Sequence, residues 1–287
     1  MKKAFINIAA YFLIITAAVL SGCGKNSGYN TSSIIILGST ALQPLAEQTA
    51  KTFLEKNPKK TISVQGGGSG AGINQVYSGS AQIGMSDVTA MEKLKNEKRA
   101  SELSDHKVCV IGFAIVTSKD VKINNLTKKQ IQDIFTGKLT NWKELGGDDQ
   151  PINVINRTRS SGTRAAFFNS IMDKKNEKED LGTVQDSSGA VRTAVNANKG
   201  SISYLALSYL TKEVKSEFNV MKIDGTEASK TNIISKKYPF WAYEHMYTKG
   251  EAQGLAKEFI DYMISDENKS TVEKLGYIPI SDMKDFK

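Results

Sequence analysis

Two cysteines and two histidines are all that 287 residues contain. Zinc-type centres draw three or four ligands from those residue types, so the composition argues against such a metal site and no metal or cofactor is expected. Five prolines and 23 glycines beside 40% hydrophobic residues exclude collagen-like and disordered chains. Charge of one sign is lacking too: 38 basic residues are scattered among 30 acidic ones, for a net charge of +8. With no basic patch interleaved with aromatics, nucleic-acid binding has no support beyond that net charge. A Walker-type GxxxxGK[ST] loop is missing, because Gly24-Lys25 and Gly137-Lys138 lack both the upstream Gly and the following Ser/Thr. The chain therefore carries no visible ATP site.

One long apolar run is present, from Ala4 to Leu20, after a cationic start at Lys2 and Lys3. It is short for a membrane-spanning helix and ends in Leu20-Ser21-Gly22-Cys23. That tetrapeptide resembles a bacterial lipobox, which implies a signal peptide over 1–22 and lipidation of Cys23 at its thiol. A flexible tether is expected over 23–30. Lipid chains at Cys23 would hold the chain at the extracytoplasmic face of a bacterial cell membrane, a Gram-positive one being suggested by lipidation and lysine content. Loss of residues 1–22, which carry two lysines and no acid, brings +8 down to +6. Cys109, within the apolar run Val108–Val116, then reads as a small buried hydrophobe.

The remainder alternates strand-like and helix-like segments. Strands are expected near 34–37, 62–65, 81–84, 108–117, 152–156, 201–205, 220–223 and 245–247. Helices are expected near 42–57, 72–77, 127–135, 163–172, 188–198 and 252–264. This pattern predicts an α/β protein with mostly parallel sheets. The charged run 174–180 reads as a solvated loop.

Four polar, Gly-containing turns stand where a strand gives way to a helix: Gly38-Ser39-Thr40-Ala41, Gly66 to Gly72, Gly84-Met85-Ser86-Asp87, and Asn156 to Thr163. In open α/β sheets ligands bind beyond the carboxyl ends of the strands. Helix N-termini there offer unpaired N–H groups and partial positive charge, and Ser/Thr hydroxyls add donors. One such turn is usually a cap, but four together, with an Arg and an Asp, point to an anion.

Within these turns lie GSTALQPLAE, QGGGSGAG, IGMSD and NRTRSSGTR, followed elsewhere by IFTGKLTNWKELGG, YP with MYTKG, and GYIPIS. In these stretches the chain resembles the phosphate-binding lipoproteins of bacterial phosphate-uptake ABC transporters, members of the periplasmic-binding-protein superfamily. The resemblance implies a two-lobed, type II periplasmic-binding-protein fold with two hinge crossings and a ligand cleft between the lobes. It places lobe one at 31–115 plus 237–287 and lobe two at 116–236. It implies a monomer that captures inorganic phosphate and delivers it to an ABC permease with its ATPase subunits. The implied phosphate-binding set is Thr40, Ala41, Ser69, Asp87, Arg157, Ser161, Gly162 and Thr163.

Asp87 has a reason to face an anion. Phosphate near neutral pH keeps a proton that an ionised carboxylate can accept, whereas sulfate has none. Two features depart from the family: Arg159 stands where relatives often carry an acid, leaving open whether it reaches the cleft rim or another carboxylate, and Trp241 to His245 differs from the usual sequence before MYTKG. The competing readings are a binding protein for sulfate or molybdate and a serine hydrolase. For the latter, Ser69 in Gly67-Gly68-Ser69-Gly70-Ala71 is a near miss to a nucleophile elbow, with only His106 or His245 as base.

Overall fold

The structure is a computed structural model that describes residues 32–283 apart from 212, 213 and 215. The signal peptide, Cys23 and the tether expected over 23–30 lie outside the described residues. Among the described residues twelve strands are formed: β1 (Ser33–Gly38), β2 (Thr61–Gln65), β3 (Ile83–Ser86), β4 (Leu103–Ser118), β5 (Asn125–Leu126), β6 (Asn153–Arg157), β7 (Thr183–Gln185), β8 (Ser201–Ala206), β9 (Phe218–Val220), β10 (Lys222–Ile223), β11 (Trp241–Lys249) and β12 (Ile278–Pro279). The main sheet runs β2-β1-β3-β11-β4-β8-β6-β7, with β9 and β12 also on β4, while β5 and β10 pair separately.

The expectation of mostly parallel pairing holds only at the flanks. β1 is parallel to β2 and β3, and β6 to β7 and β8. At the centre β11 runs antiparallel to β3 and β4, and β4 antiparallel to β8. The reason is topological. Successive strand–helix–strand units within each flank give parallel neighbours, whereas β4 and β11 carry the chain from one flank to the other and back, in opposite directions.

β4 is also where the two halves of the sheet join. Its first part pairs with β11 as far as Gly112 opposite Trp241, and from Phe113 onward it pairs with β8. The returning chain crosses beside it: the Phe113 N–H donates to Phe240 O at 2.9 Å, and the Tyr238 hydroxyl donates to Phe113 O at 2.9 Å. Aromatic rings pack around this crossing. Phe113 lies 5.0 Å from Phe240 between ring centroids, Phe240 lies 5.7 Å from Phe167, and Phe167 stacks on Tyr204 at 4.4 Å. All four are fully buried, as is Cys109 on β4.

Helix expectations fall within a few residues of Gln43–Lys56, Ser69–Ser78, Lys128–Phe135, Gly162–Ser170, Ser188–Ala197 and Gly254–Met263. The short helices Ala90–Leu94, Glu97–Ser101, Lys230–Ile234 and Lys269–Lys274 were not expected. Five or six residues are too few to display a 3.6-residue period. The helix expected from Gly72 starts at Ser69, so the glycine-rich turn is half helical. One part of the expected solvated loop is buried as well. Glu177 is 9% exposed, because its carboxylate accepts from Arg164 Nε at 2.6 Å.

Truncating a ring at the crossing should weaken the whole unit. Phe240→Ala is expected to lower stability by about 3–5 kcal/mol in urea unfolding, with the slope of the transition unchanged.

Candidate functional site

The first turn is built on a glycine. At Gly38 φ is +144°, and a Cβ there would lie 2.2 Å from Met85 O on β3, so only glycine lets the two strands end side by side. Ser39 Oγ accepts the N–H groups of Ala41 and Leu42 at 3.1 Å each, which curls the chain into the helix Gln43–Lys56. Thr40 Oγ1 is thereby aimed across to the other half of the sheet. It accepts from Arg157 Nη2 at 3.3 Å and from the Ser188 N–H at 3.2 Å, with Ser188 Oγ at 3.1 Å.

Arg157 ends β6 and is 1% exposed. Its guanidinium donates to Thr40 Oγ1, to Ser188 Oγ at 3.4 Å and to Asp186 O at 3.2 Å, all neutral acceptors. Its Nε is buried with no hydrogen-bond partner, and it forms no ion pair among the described residues. Burial pulls its pKa below the usual arginine value, opposed by Tyr204 and Asp87. A buried guanidinium held by neutral groups is an unusual expense, since charges inside proteins are normally paired.

Asp87 follows β3 and is 2% exposed. Hydroxyls from both halves of the sheet converge on it: Ser69 Oγ lies 3.3 Å from Oδ1 and Thr163 Oγ1 2.8 Å from Oδ2. The Asp87 N–H donates to Ser69 Oγ at 3.0 Å. Gly162 presses directly onto this cluster, where a Cβ would stand 2.0 Å from Ser69 Oγ and 2.8 Å from Asp87 Cγ. Ser161 Oγ accepts from the Arg164 N–H at 3.1 Å as an N-cap, which leaves its own O–H proton free to donate. The two halves also meet through backbone, with the Gly70 N–H donating to Ser160 O at 2.9 Å. Lys93 Nζ reaches Ser161 O at 2.8 Å and Arg159 O at 3.2 Å, and burial pushes its ammonium down to about 8.

The structure thus brings Thr40, Ser69, Asp87, Arg157, Gly162 and Thr163 together, with Ser161 at the adjacent helix start. Ala41 is fully buried beside them, its N–H held by Ser39 Oγ within its own turn. The helices Gln43–Lys56, Ser69–Ser78, Gly162–Ser170 and Ser188–Ala197 all begin here. Their N-terminal partial charges reinforce Arg157. Asp87 is the one acceptor among these donors, so the arrangement suits a small oxyanion that carries a proton.

The sequence reading missed Ser188, although Asp186-Ser187-Ser188-Gly189 is a fifth polar turn between a strand and a helix. The three-residue β7 in front of it was too short to notice. Arg159 turns outward, donating to Glu179 Oε1 at 2.8 Å with both side chains largely exposed. Neither histidine accompanies Ser69: His245 Nδ1 pairs with Asp105 Oδ1 at 2.7 Å and His106 Nε2 with Thr248 Oγ1 at 3.2 Å.

Because Gly162 has no room for a methyl group, Gly162→Ala should force the helix start away from Asp87 and Ser69. A loss of about 1–3 kcal/mol is expected in thermal or urea unfolding, the usual range for overpacking a tight core.

Known proteins resemble this chain in sequence and in fold. The model of the PBP superfamily domain matches residues 25–267. The phosphate-binding protein PstS of Bacillus subtilis (strain 168) is 44% identical over 286 residues, covering 96% of this chain and 93% of that protein. PstS of Borreliella burgdorferi is 28% identical, covering 98% of this chain and 99% of that one. Among solved structures, a Clostridium perfringens protein assigned as a phosphate ABC transporter substrate-binding protein, crystallised with bound phosphate, superposes with a TM-score of 0.79 at 35% identity. It covers 86% of this chain and 99% of its own. An ABC-type phosphate transport receptor of Vibrio cholerae gives a TM-score of 0.67 at 28% identity, covering 85% and 99%. The chain belongs to the PBP superfamily, with its two-lobed α/β fold, and within it to the family of the PstS phosphate-binding proteins.

Proposed function

We propose that this chain is the extracytoplasmic phosphate receptor of an ABC importer and that the cluster around Arg157 and Asp87 is its phosphate site. The observation that carries the reading is the buried Arg157 guanidinium, without a carboxylate to pair it, facing a carboxylate that already collects two hydroxyls. An anion between the two gives the guanidinium the charge it lacks. Arg157 donates to phosphate oxygens as a planar fork. Thr40, Ser69, Ser161 and Thr163 supply hydroxyl donors, and the Gly162 and Thr163 amides supply N–H groups at the helix start. Ala41 adds its N–H on exchanging its bond to Ser39. Asp87 accepts the P–O–H of the ligand, and a fully ionised sulfate would set acceptor against acceptor there.

Lobe one comprises 31–115 and 237–287 and lobe two 116–236, with the crossings at β4 and beside Phe240. Thr40, Ser69 and Asp87 then come from lobe one and Arg157 to Thr163 from lobe two. A phosphate held by both lobes favours the closed form, which is the form a permease with its ATPase subunits would recognise. The protein acts as a monomer and does no chemistry on its ligand. Anchoring falls to a lipid on Cys23, which closes the Leu20-Ser21-Gly22-Cys23 motif. A labelled fatty acid fed to a bacterial host is expected to mark the wild-type protein and not Cys23→Ser, and an unlabelled wild-type protein would contradict lipid anchoring.

The ligand assignment is tested by calorimetry on residues 24–287. One phosphate per chain should bind, and a large excess of sulfate should not displace it. Asp87→Asn replaces an acceptor by a group that can donate, so phosphate should weaken by tenfold or more while sulfate binding appears. Competition by sulfate at comparable concentration in the unaltered protein would overturn the phosphate assignment.

A further inference from the structure

Behind Asp87 lies a second carboxyl that the phosphate site does not use. Glu244 sits on β11 and is fully buried, at 0% exposed. β11 pairs with β3 up to His245 opposite Ser86, and Glu244 and Asp87 are the residues that follow that last pair on the two chains. On its other side β11 meets β4 with an irregularity between Glu244 and His245: these two face Cys109 and Lys107, leaving Val108 as the extra residue. Such a bulge re-aims a side chain locally. Both Glu244 oxygens are buried without a hydrogen-bond partner, and the carboxyl whose charge acts on them is that of Asp87. Two ionised carboxylates have no donor between them, and a buried pair of like charges is among the most costly arrangements a protein can hold. One proton removes both problems.

We propose that Glu244 is a neutral carboxylic acid that donates its O–H to the Asp87 carboxylate from the sheet side, so that the pair holds one proton and one negative charge. Asp87 keeps its acceptor character toward the cleft, and Glu244 is the positioning residue that fixes the carboxylate plane. This inference rests on the reading of Asp87 as the acceptor of the phosphate proton. It gives that acceptor a rigid support, which hydroxyls of the two halves alone, free to rotate toward a ligand, would not supply.

The surroundings favour the shared proton. Burial pushes the Glu244 carboxyl well above the usual carboxylate range, and the charge of Asp87 pushes it further. The other titratable groups that face it are the Cys109 thiol on β4 and the Tyr277 hydroxyl just before β12. Burial raises both of those as well, so each keeps its own proton and neither can charge the pair. The sign for stability follows from the raised carboxyl. The folded protein keeps the Glu244 proton above about pH 4.3, where an unfolded glutamate has lost it. The contribution to stability is therefore complete below that pH and is lost as pH rises toward the folded value.

Infrared spectroscopy on the full chain without phosphate should show the carbonyl stretch of a protonated, buried carboxylic acid at neutral pH, absent in Glu244→Gln. If the wild-type protein shows no such band, the shared proton is overturned. The thermal midpoint of Glu244→Gln relative to wild type should climb as pH is raised from about 4 to about 8, since the variant has no proton to lose. A pH-independent difference contradicts the proposal. In calorimetry, Glu244→Leu should weaken phosphate by about ten- to a hundredfold, the range for one hydrogen bond to a charged group. It should also narrow the preference for phosphate over sulfate, and Glu244→Gln, which retains a neutral donor, should restore most of both. A purely structural role would leave the phosphate-to-sulfate ratio unmoved in both variants, and that result would overturn the positioning role. Failure of the wild-type protein to bind phosphate would instead remove the ligand reading, with the infrared band still deciding whether the pair shares a proton.

Discussion

Taking the Arg157 guanidinium out of water without a carboxylate partner is the constraint on which the other features of this molecule depend. Isolated burial of such a charge is costly enough that something must compensate it. Here the compensation is distributed: Thr40, Ser188 and the Asp186 carbonyl accept from the guanidinium, and Asp87 exerts its charge from the neighbouring turn. None of these is a close ion pair, so the site retains an appetite for an anion that a conventional Arg–Asp bridge would have satisfied.

The sheet topology delivers those groups to one place. The parallel flanks send several strand ends, with their turns and helix starts, to the same edge. The antiparallel centre, made by β4 and β11, ties the flanks together while leaving only two chain crossings between them. The aromatic cluster at Phe113, Phe167, Tyr204 and Phe240 gives that junction a packed pivot. Contacts across the cleft are hydrogen bonds: Gly70 to Ser160, Lys93 to Ser161, Thr163 to Asp87, and Thr40 to Arg157 and Ser188. A packed joint with a mouth held by polar groups suits a receptor that closes on its ligand.

Electrostatic selectivity then depends on how charge is arranged, with little role for the sum. The charge of +8 is a sum over the whole chain, and many exposed lysines are paired with acids, such as Lys143 with Asp149. Surface pairs of that kind contribute little. Inside, one arginine, several helix N-termini and neutral hydroxyls surround one aspartate, with Glu244 following on the neighbouring strand. A donor-rich cage with a single acceptor reads the proton on an oxyanion, which bulk charge cannot do.

The α/β class and the polar turns after β1, β2, β3 and β6 were legible in the amino-acid sequence through local rules: strand and helix periods, glycine where backbones touch, hydroxyls at helix starts. Within those turns Thr40, Ser69, Asp87, Arg157 and Thr163 were singled out by the resemblance to phosphate-binding lipoproteins, and the fold brings them together. Ser188 escaped because its strand is three residues long, and the burial of Glu177 escaped because it lies inside a charged run. The antiparallel centre, the outward turn of Arg159 and the facing of Glu244 toward Asp87 were decided by tertiary structure alone. Strand direction and cross-strand register join residues more than a hundred positions apart, and no local period records which side chain will stand behind another.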